Sequence, residues 1–148
     1  MNASRILPDL QASLLCEDVR VESSGNFIIV GVISEVRVPQ LPIAAYKLCV
    51  FNRWTAGIGE FNQEVRLVAP DGTTVLRKSA FKFALKNPVQ NTTNVSVFGQ
   101  VEFKEQGTYT IEVLIDEVMK LRVPVPVVLV QQKQQPQAQG GTQPPSVP

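Results

Sequence analysis

Residues 105–114 read Glu105-Gln106-Gly107-Thr108-Tyr109-Thr110-Ile111-Glu112-Val113-Leu114. After the glycine, Tyr109, Ile111 and Val113 fall on one face of an extended chain, and Thr110 and Glu112 on the other. Period-two alternation of this kind predicts a half-buried antiparallel strand. The reading spreads outward from there. Val118–Val130 sets Met119, Leu121, Val123, Val125, Val127 and Leu129 against Lys120, Arg122, Pro124 and Pro126. Thr93–Phe103 sets Val95, Val97, Val101 and Phe103 against Ser96, Gln100 and Glu102. Thr73–Leu85 sets Phe81, Phe83 and Leu85 against Lys78 and Lys82, and Lys86 extends that basic side. Phe61–Ala69 sets Phe61, Val65 and Leu67 against Asn62, Glu64 and Arg66.

Three further apolar runs lie upstream: Ser13–Val21, Phe27–Val38 and Tyr46–Trp54. Turn chemistry separates them. Ser23-Ser24-Gly25-Asn26 reverses the chain, Pro39 and Pro42 interrupt it, and Thr55-Ala56-Gly57-Ile58-Gly59 is a flexible loop. Pro70-Asp71-Gly72 is a strong turn, because proline presets φ and glycine is free to take φ > 0. No window shows a sustained helical period. About eight strands at this spacing predict an all-β, antiparallel sandwich, with a β-barrel as the structural alternative. Pro124 and Pro126 lie two apart, so their missing N–H groups fall on one lateral side. That marks Val118–Val130 as an edge strand.

The chain has 148 residues, one domain's worth. Residues 1–10 read as a flexible lead-in, 11–130 as the domain, and 131–148 as a disordered Gln/Pro-rich tail with too little apolar surface to offset its ordering entropy. Fourteen basic and 13 acidic side chains give a net charge of +1. A nearly neutral domain has no general electrostatic drive toward nucleic acid or anionic lipid. Histidine is absent, which excludes Ser-His-Asp and Cys-His catalysis within this chain. Cys16 and Cys49 form no Cys-x-x-Cys pair, so no zinc, and no other cofactor, is expected. The opening MNASRILPDL lacks the basic and apolar regions of a secretory signal, and no apolar run suffices for a membrane span. The expected location is cytoplasmic, and the expected protein is not an enzyme.

Four groups of residues are candidates for function. If Phe27, Ile29 and Ile33 face the core, then Ile28, Val30 and Val32 face out. If Leu48 and Val50 face the core, then Cys49 and Phe51 face out. This second apolar face is either covered within the chain or met by a partner protein or a second copy. Arg53 and Trp54, beside Gly57 and Gly59, suggest a binding loop, or a turn whose Trp caps the core. Arg77, Lys78, Lys82 and Lys86 form a basic stripe, either a solvated face or an anion surface. No aromatic shares that stripe, which argues against single-stranded nucleic acid. Glu17-Asp18 and Asp116-Glu117 are adjacent pairs, which on strands diverge rather than converge on one site.

The order Glu105-x-Gly107-x-Tyr109-x-Ile111 resembles the tyrosine corner of immunoglobulin-like domains. The resemblance implies an immunoglobulin-like sandwich with Gly107 and Tyr109 as structural residues. Ile111 stands where antibody domains carry their second cysteine, so their disulfide is not implied. Leu15-Cys16-Glu17-Asp18-Val19-Arg20, followed by Gly25-Asn26-Phe27-Ile28-Ile29-Val30-Gly31-Val32, resembles the opening of a family of small bacterial proteins of unknown function. The likeness runs through most of residues 12–128 and implies a β-sandwich, with no catalytic or binding residue to transfer.

Overall fold

A computed structural model of the chain describes residues 5–131. The expected tail from 132 onward lies outside these residues. Nine strands make up the described chain: β1 (Asp9–Val21), β2 (Phe27–Val32), β3 (Val36–Val38), β4 (Ile43–Thr55), β5 (Gly59–Val68), β6 (Val75–Leu85), β7 (Asn91–Phe103), β8 (Gly107–Ile115) and β9 (Val118–Leu129). They form two sheets, in the orders β2-β1-β4-β7 and β3-β9-β8-β5-β6. The ninth strand arises because the single run expected over Phe27–Val38 divides. Its first part stays with β1, and Val36–Val38 crosses to the other sheet and pairs parallel with Val127–Leu129. β1 begins at Asp9, and Ile6 forms an antiparallel bridge with Ile58, so the hydrogen-bonded framework starts before position 11.

The core lies between the sheets. Leu15, Leu48, Val50, Trp54, Phe98, Val101 and Phe103 meet Phe61, Val65, Leu67, Leu85, Tyr109, Ile111, Val113, Val125 and Val127. Tyr109 is 2% exposed, and its hydroxyl donates to the Glu105 carbonyl at 2.8 Å, the bond a tyrosine corner makes. The Asp116-Glu117 pair forms the β8–β9 turn, with φ of 47° and 69°. Positive φ at both central residues fits the twist of a tight hairpin. β9 is an edge only in part. Its last three residues are covered by β3, whereas Pro124 and Pro126 precede that pairing and sit where the strand's outer side is open.

Two phase changes correct the expected faces. In β7, Val97 is 57% exposed while Ser96 and Phe98 are buried, the reverse of the alternation read from the sequence. Beyond Gln100, which takes φ 54°, the odd positions Val101 and Phe103 turn inward as expected. One left-handed residue thus shifts the register of faces along the strand.

The second change bends β1 and β2. Leu15–Ile33 and Glu22–Asn26 are both joined by backbone hydrogen bonds. Bonded pairs in an antiparallel ladder recur at every second residue. Positions 15 and 22 are an odd number apart, so the ladder slips in phase between them. The break lies at Gly31, which has φ 67° and no ladder partner, between the pairs Cys16–Val32 and Asp18–Val30. By register alone β2 would run away from Phe51, because Phe27 lies opposite Val21 while Phe51 lies opposite Leu14. Nevertheless the Phe27 and Phe51 rings meet edge to face, 5.8 Å apart. The distal half of β1 and all of β2 therefore fold back as a two-stranded ribbon over the outer side of β4. Phe27 and Ile29, expected in the core, cover that outer side instead.

Candidate functional site

The outer sides of the two sheets differ in chemistry. On the β3-β9-β8-β5-β6 sheet, Glu112 is flanked by Arg66 at 3.6 Å and Arg122 at 3.4 Å, and Arg66 also pairs with Glu64. Glu64 is the first cause of a raised Arg66 pKa. This is a solvated face with cross-strand charge pairs. Lys78 and Lys82 stand opposite Arg66 and Asn62 on it. The basic stripe is not continuous, however. Arg77 points to the other side of β6, and its guanidinium donates to the Gly99 carbonyl of β7. Ser79 and Ser96 join the same two strands at 3.2 Å.

On the β2-β1-β4-β7 sheet and its ribbon, Leu14, Val21, Phe27, Ile28, Val32 and Val97 are exposed, with Val32 at 59%, beside the charged Glu17, Arg20 and Glu102. Of the candidate surface residues, Ile28 and Val32 are exposed and Val30 is half-buried. Cys49 and Phe51 do project outward from β4, but they are only 2% and 5% exposed, which corrects the expectation that they form open surface. Coverage within the chain accounts for these two. Cys16 lies directly opposite Cys49; both thiols are free, and burial pushes each pKa up. At the corner of the ribbon, Lys47 donates to Asp18 at 2.8 Å. Lys47, and then Arg20, hold the Asp18 carboxyl at about 2, against an ordinary 3.8.

Trp54 is a further correction. It is wholly buried, and its Nε1 donates to Gln63 Oε1 at 2.7 Å. Gln63 Nε2 in turn donates to Asn94 Oδ1 at 2.9 Å, tying the two sheets together. Trp54 is therefore part of the core, not an anchor for a partner. The loop beside it is not loose: Ile58 bridges Ile6, and a Cβ on Gly57 would sit 2.8 Å from Pro8.

Arg53 has a different setting. It projects from the outer side of β4, next to Phe51 and opposite Thr93. The ribbon tip arches toward it and closes a cleft of about 600 Å³, lined by Phe27, Ile29, Phe51, Arg53, Asn91 and Thr93 among others. Arg53 Nη2 donates to Asn91 Oδ1 at 3.1 Å, and its buried Nε has no hydrogen-bond partner among the described residues. The cleft thus combines a partly engaged guanidinium with an aromatic and aliphatic wall. The sequence pointed to Arg53 and Phe51 but not to Phe27, Asn91 or Thr93. The one available signal was Gly31 inside an apolar run, which marks a bulge, and it does not tell where the strand goes next.

Among the described residues there is no group of three or more potential metal ligands and no helix long and apolar enough to cross a membrane. Residues 11–128 match a family of unknown function (DUF6941). The chain belongs to that family. Over 74 residues it is also 27% identical to the NAD-dependent malic enzyme of Schizosaccharomyces pombe, a match covering 50% of this chain and 13% of that enzyme.

Proposed function

We propose that this DUF6941 chain is a non-enzymatic, cytoplasmic protein-interaction module. It acts through the outer side of the β2-β1-β4-β7 sheet, with an unidentified partner protein or a second copy as occupant. The observation that carries this reading is the contrast between the two outer faces. One carries cross-strand ion pairs at its centre, and on the other Leu14, Ile28, Val32 and Val97 are exposed, Val32 and Val97 in one row across the sheet. Exposed apolar side chains recurring across one sheet mark a surface that gains from being covered. The lack of histidine supports a role without catalysis. The departure of Arg77 from the basic stripe removes the main support for the alternative, a nucleic-acid or anion surface on β6.

Native mass spectrometry of the chain, recovered from the cells that make it, tests the reading. Val32→Glu with Val97→Glu is expected to abolish any assembled mass. Lys78→Glu with Arg122→Glu is expected to leave it intact. The opposite pattern, or a bare monomer for the unaltered chain at every concentration, overturns the proposal.

A further inference from the structure

We infer that the cleft under the ribbon tip binds a carboxylate that sits next to an apolar group, the carboxylate being the C-terminus of a partner polypeptide. This rests on the reading of the same sheet face as an interaction surface. Three features select this chemistry. First, a guanidinium carries five N–H donors in a planar fork that matches a carboxylate. Asn91 engages the Nη2 arm of Arg53 and fixes the plane; Nε is enclosed, so the Nη1 end of the fork, which no described residue engages, is the part that meets a ligand. Second, no lysine and no second arginine lines the cleft. A single positive charge matches a carboxylate better than a phosphate dianion. Third, Phe27, Ile29 and Phe51 form the wall beside Arg53, and Phe27 is 39% exposed, so an apolar side chain adjoining the carboxylate has a surface to cover. Few convergent polar groups against an apolar wall is the usual composition of a specific binding cleft. The cleft lies at the end of β4 and the start of β7, at one end of the exposed apolar face. A polypeptide that crosses that face and ends at this edge would bring its terminal carboxylate to Arg53.

The full chain, isotopically labelled, is titrated with three peptides while amide shifts are followed. N-acetyl-Ala-Ala-Phe carries a free carboxylate. Its C-terminal amide lacks one. N-acetyl-Ala-Glu-Phe-amide carries a side-chain carboxylate instead. The first is expected to give saturable shifts at Phe27, Ile29, Arg53 and Thr93, with binding weakened about tenfold or more for the plain amide and for Arg53→Gln. Phe27→Ala, which removes the wall and leaves the guanidinium, is expected to weaken binding independently of any effect of Arg53→Gln on folding. Equal binding by the glutamate peptide keeps the carboxylate site but overturns the C-terminus as its source. No saturable binding by either carboxylate peptide, or undiminished binding by the plain amide, overturns the inference. If the peptides fail while the Val32 and Val97 substitutions still dissolve an assembly, the cleft reading falls and the face reading stands.

Discussion

The Tyr109 hydroxyl lies where the chain turns from Glu105 into β8, and its bond to the Glu105 carbonyl closes that corner. Removing the hydroxyl leaves the Glu105 carbonyl without its donor, so Tyr109→Phe is expected to lower stability by ~1 kcal/mol. Chemical denaturation checks this, and an unchanged midpoint would contradict it. Asn52 presents the converse case. It is fully buried, faces the core from β4, and neither its amide nitrogen nor its amide oxygen has a hydrogen-bond partner among the described residues. A buried, unpaired amide costs stability, whereas an apolar side chain of similar size does not. Asn52→Leu is therefore expected to raise stability by roughly 1 kcal/mol, read as a higher denaturant midpoint with an unchanged slope. A fall in the midpoint would show that Asn52 is satisfied in solution. Tyr109 was legible in the sequence because glycine, alternation and tyrosine stand at fixed offsets. The Trp54–Gln63–Asn94 chain was not, because its members come from three strands and alternation treats Gln63 and Asn94 simply as polar.

At the scale of elements, strand positions were readable and their faces were readable in part. In β8 the inward set Tyr109, Ile111 and Val113 is buried as expected, and Glu112 and Leu114 on the other side are buried too. β7 and the β1–β2 pair contain left-handed residues, Gln100 and Gly31, at which the phase of alternation changes. Binary pattern carries no information about a change of phase, so Val97 and Phe27 were placed on the wrong side. Gly31 matters most, because the ribbon's return over Phe51 depends on the bend there. A side chain at Gly31 would meet the Glu17 side chain at 2.6 Å and would have to adopt φ 67°. For a β-branched residue that conformation costs on the order of 1–2 kcal/mol. Gly31→Val is expected to lift the ribbon, exposing Cys49 and Phe51. Thiol labelling of the native protein measures this directly: Cys49, now 2% exposed, should react faster in the variant at equal pH. An unaltered rate would mean that the ribbon holds its place without the glycine.

For the whole molecule, the Arg66–Glu112–Arg122 ion pairs lie on one outer face and exposed Leu14, Val32 and Val97 on the other. The chain has no histidine, so no imidazole titrates in the physiological range. Two carboxylates are held at about 2. Asp18 is lowered first by Lys47, and Asp71, in the β5–β6 turn, is lowered first by the Thr74 hydroxyl and then by backbone N–H groups. Each has a folded pKa below its ordinary 3.8, so its contribution is fully present above that value and is lost as pH falls toward about 2. Stability attributable to these groups should hold level from neutrality to about pH 4 and decline below it. Asp71→Asn should flatten part of that decline in an acid titration followed by circular dichroism. A decline of the same size in the variant would remove Asp71 from the account.

The interaction face itself is tested most directly by a photo-crosslinking side chain placed, in turn, at position 97 on the apolar outer side and at position 78 on the charged one. Both positions are exposed, so the comparison separates the chemistry of the faces from simple access. Irradiation in the cells that make the protein is predicted to give a discrete adduct from position 97, lost on adding Val32→Glu, and none from position 78. Adducts from both positions alike, or from position 78 alone, would contradict the assignment of the β2-β1-β4-β7 face.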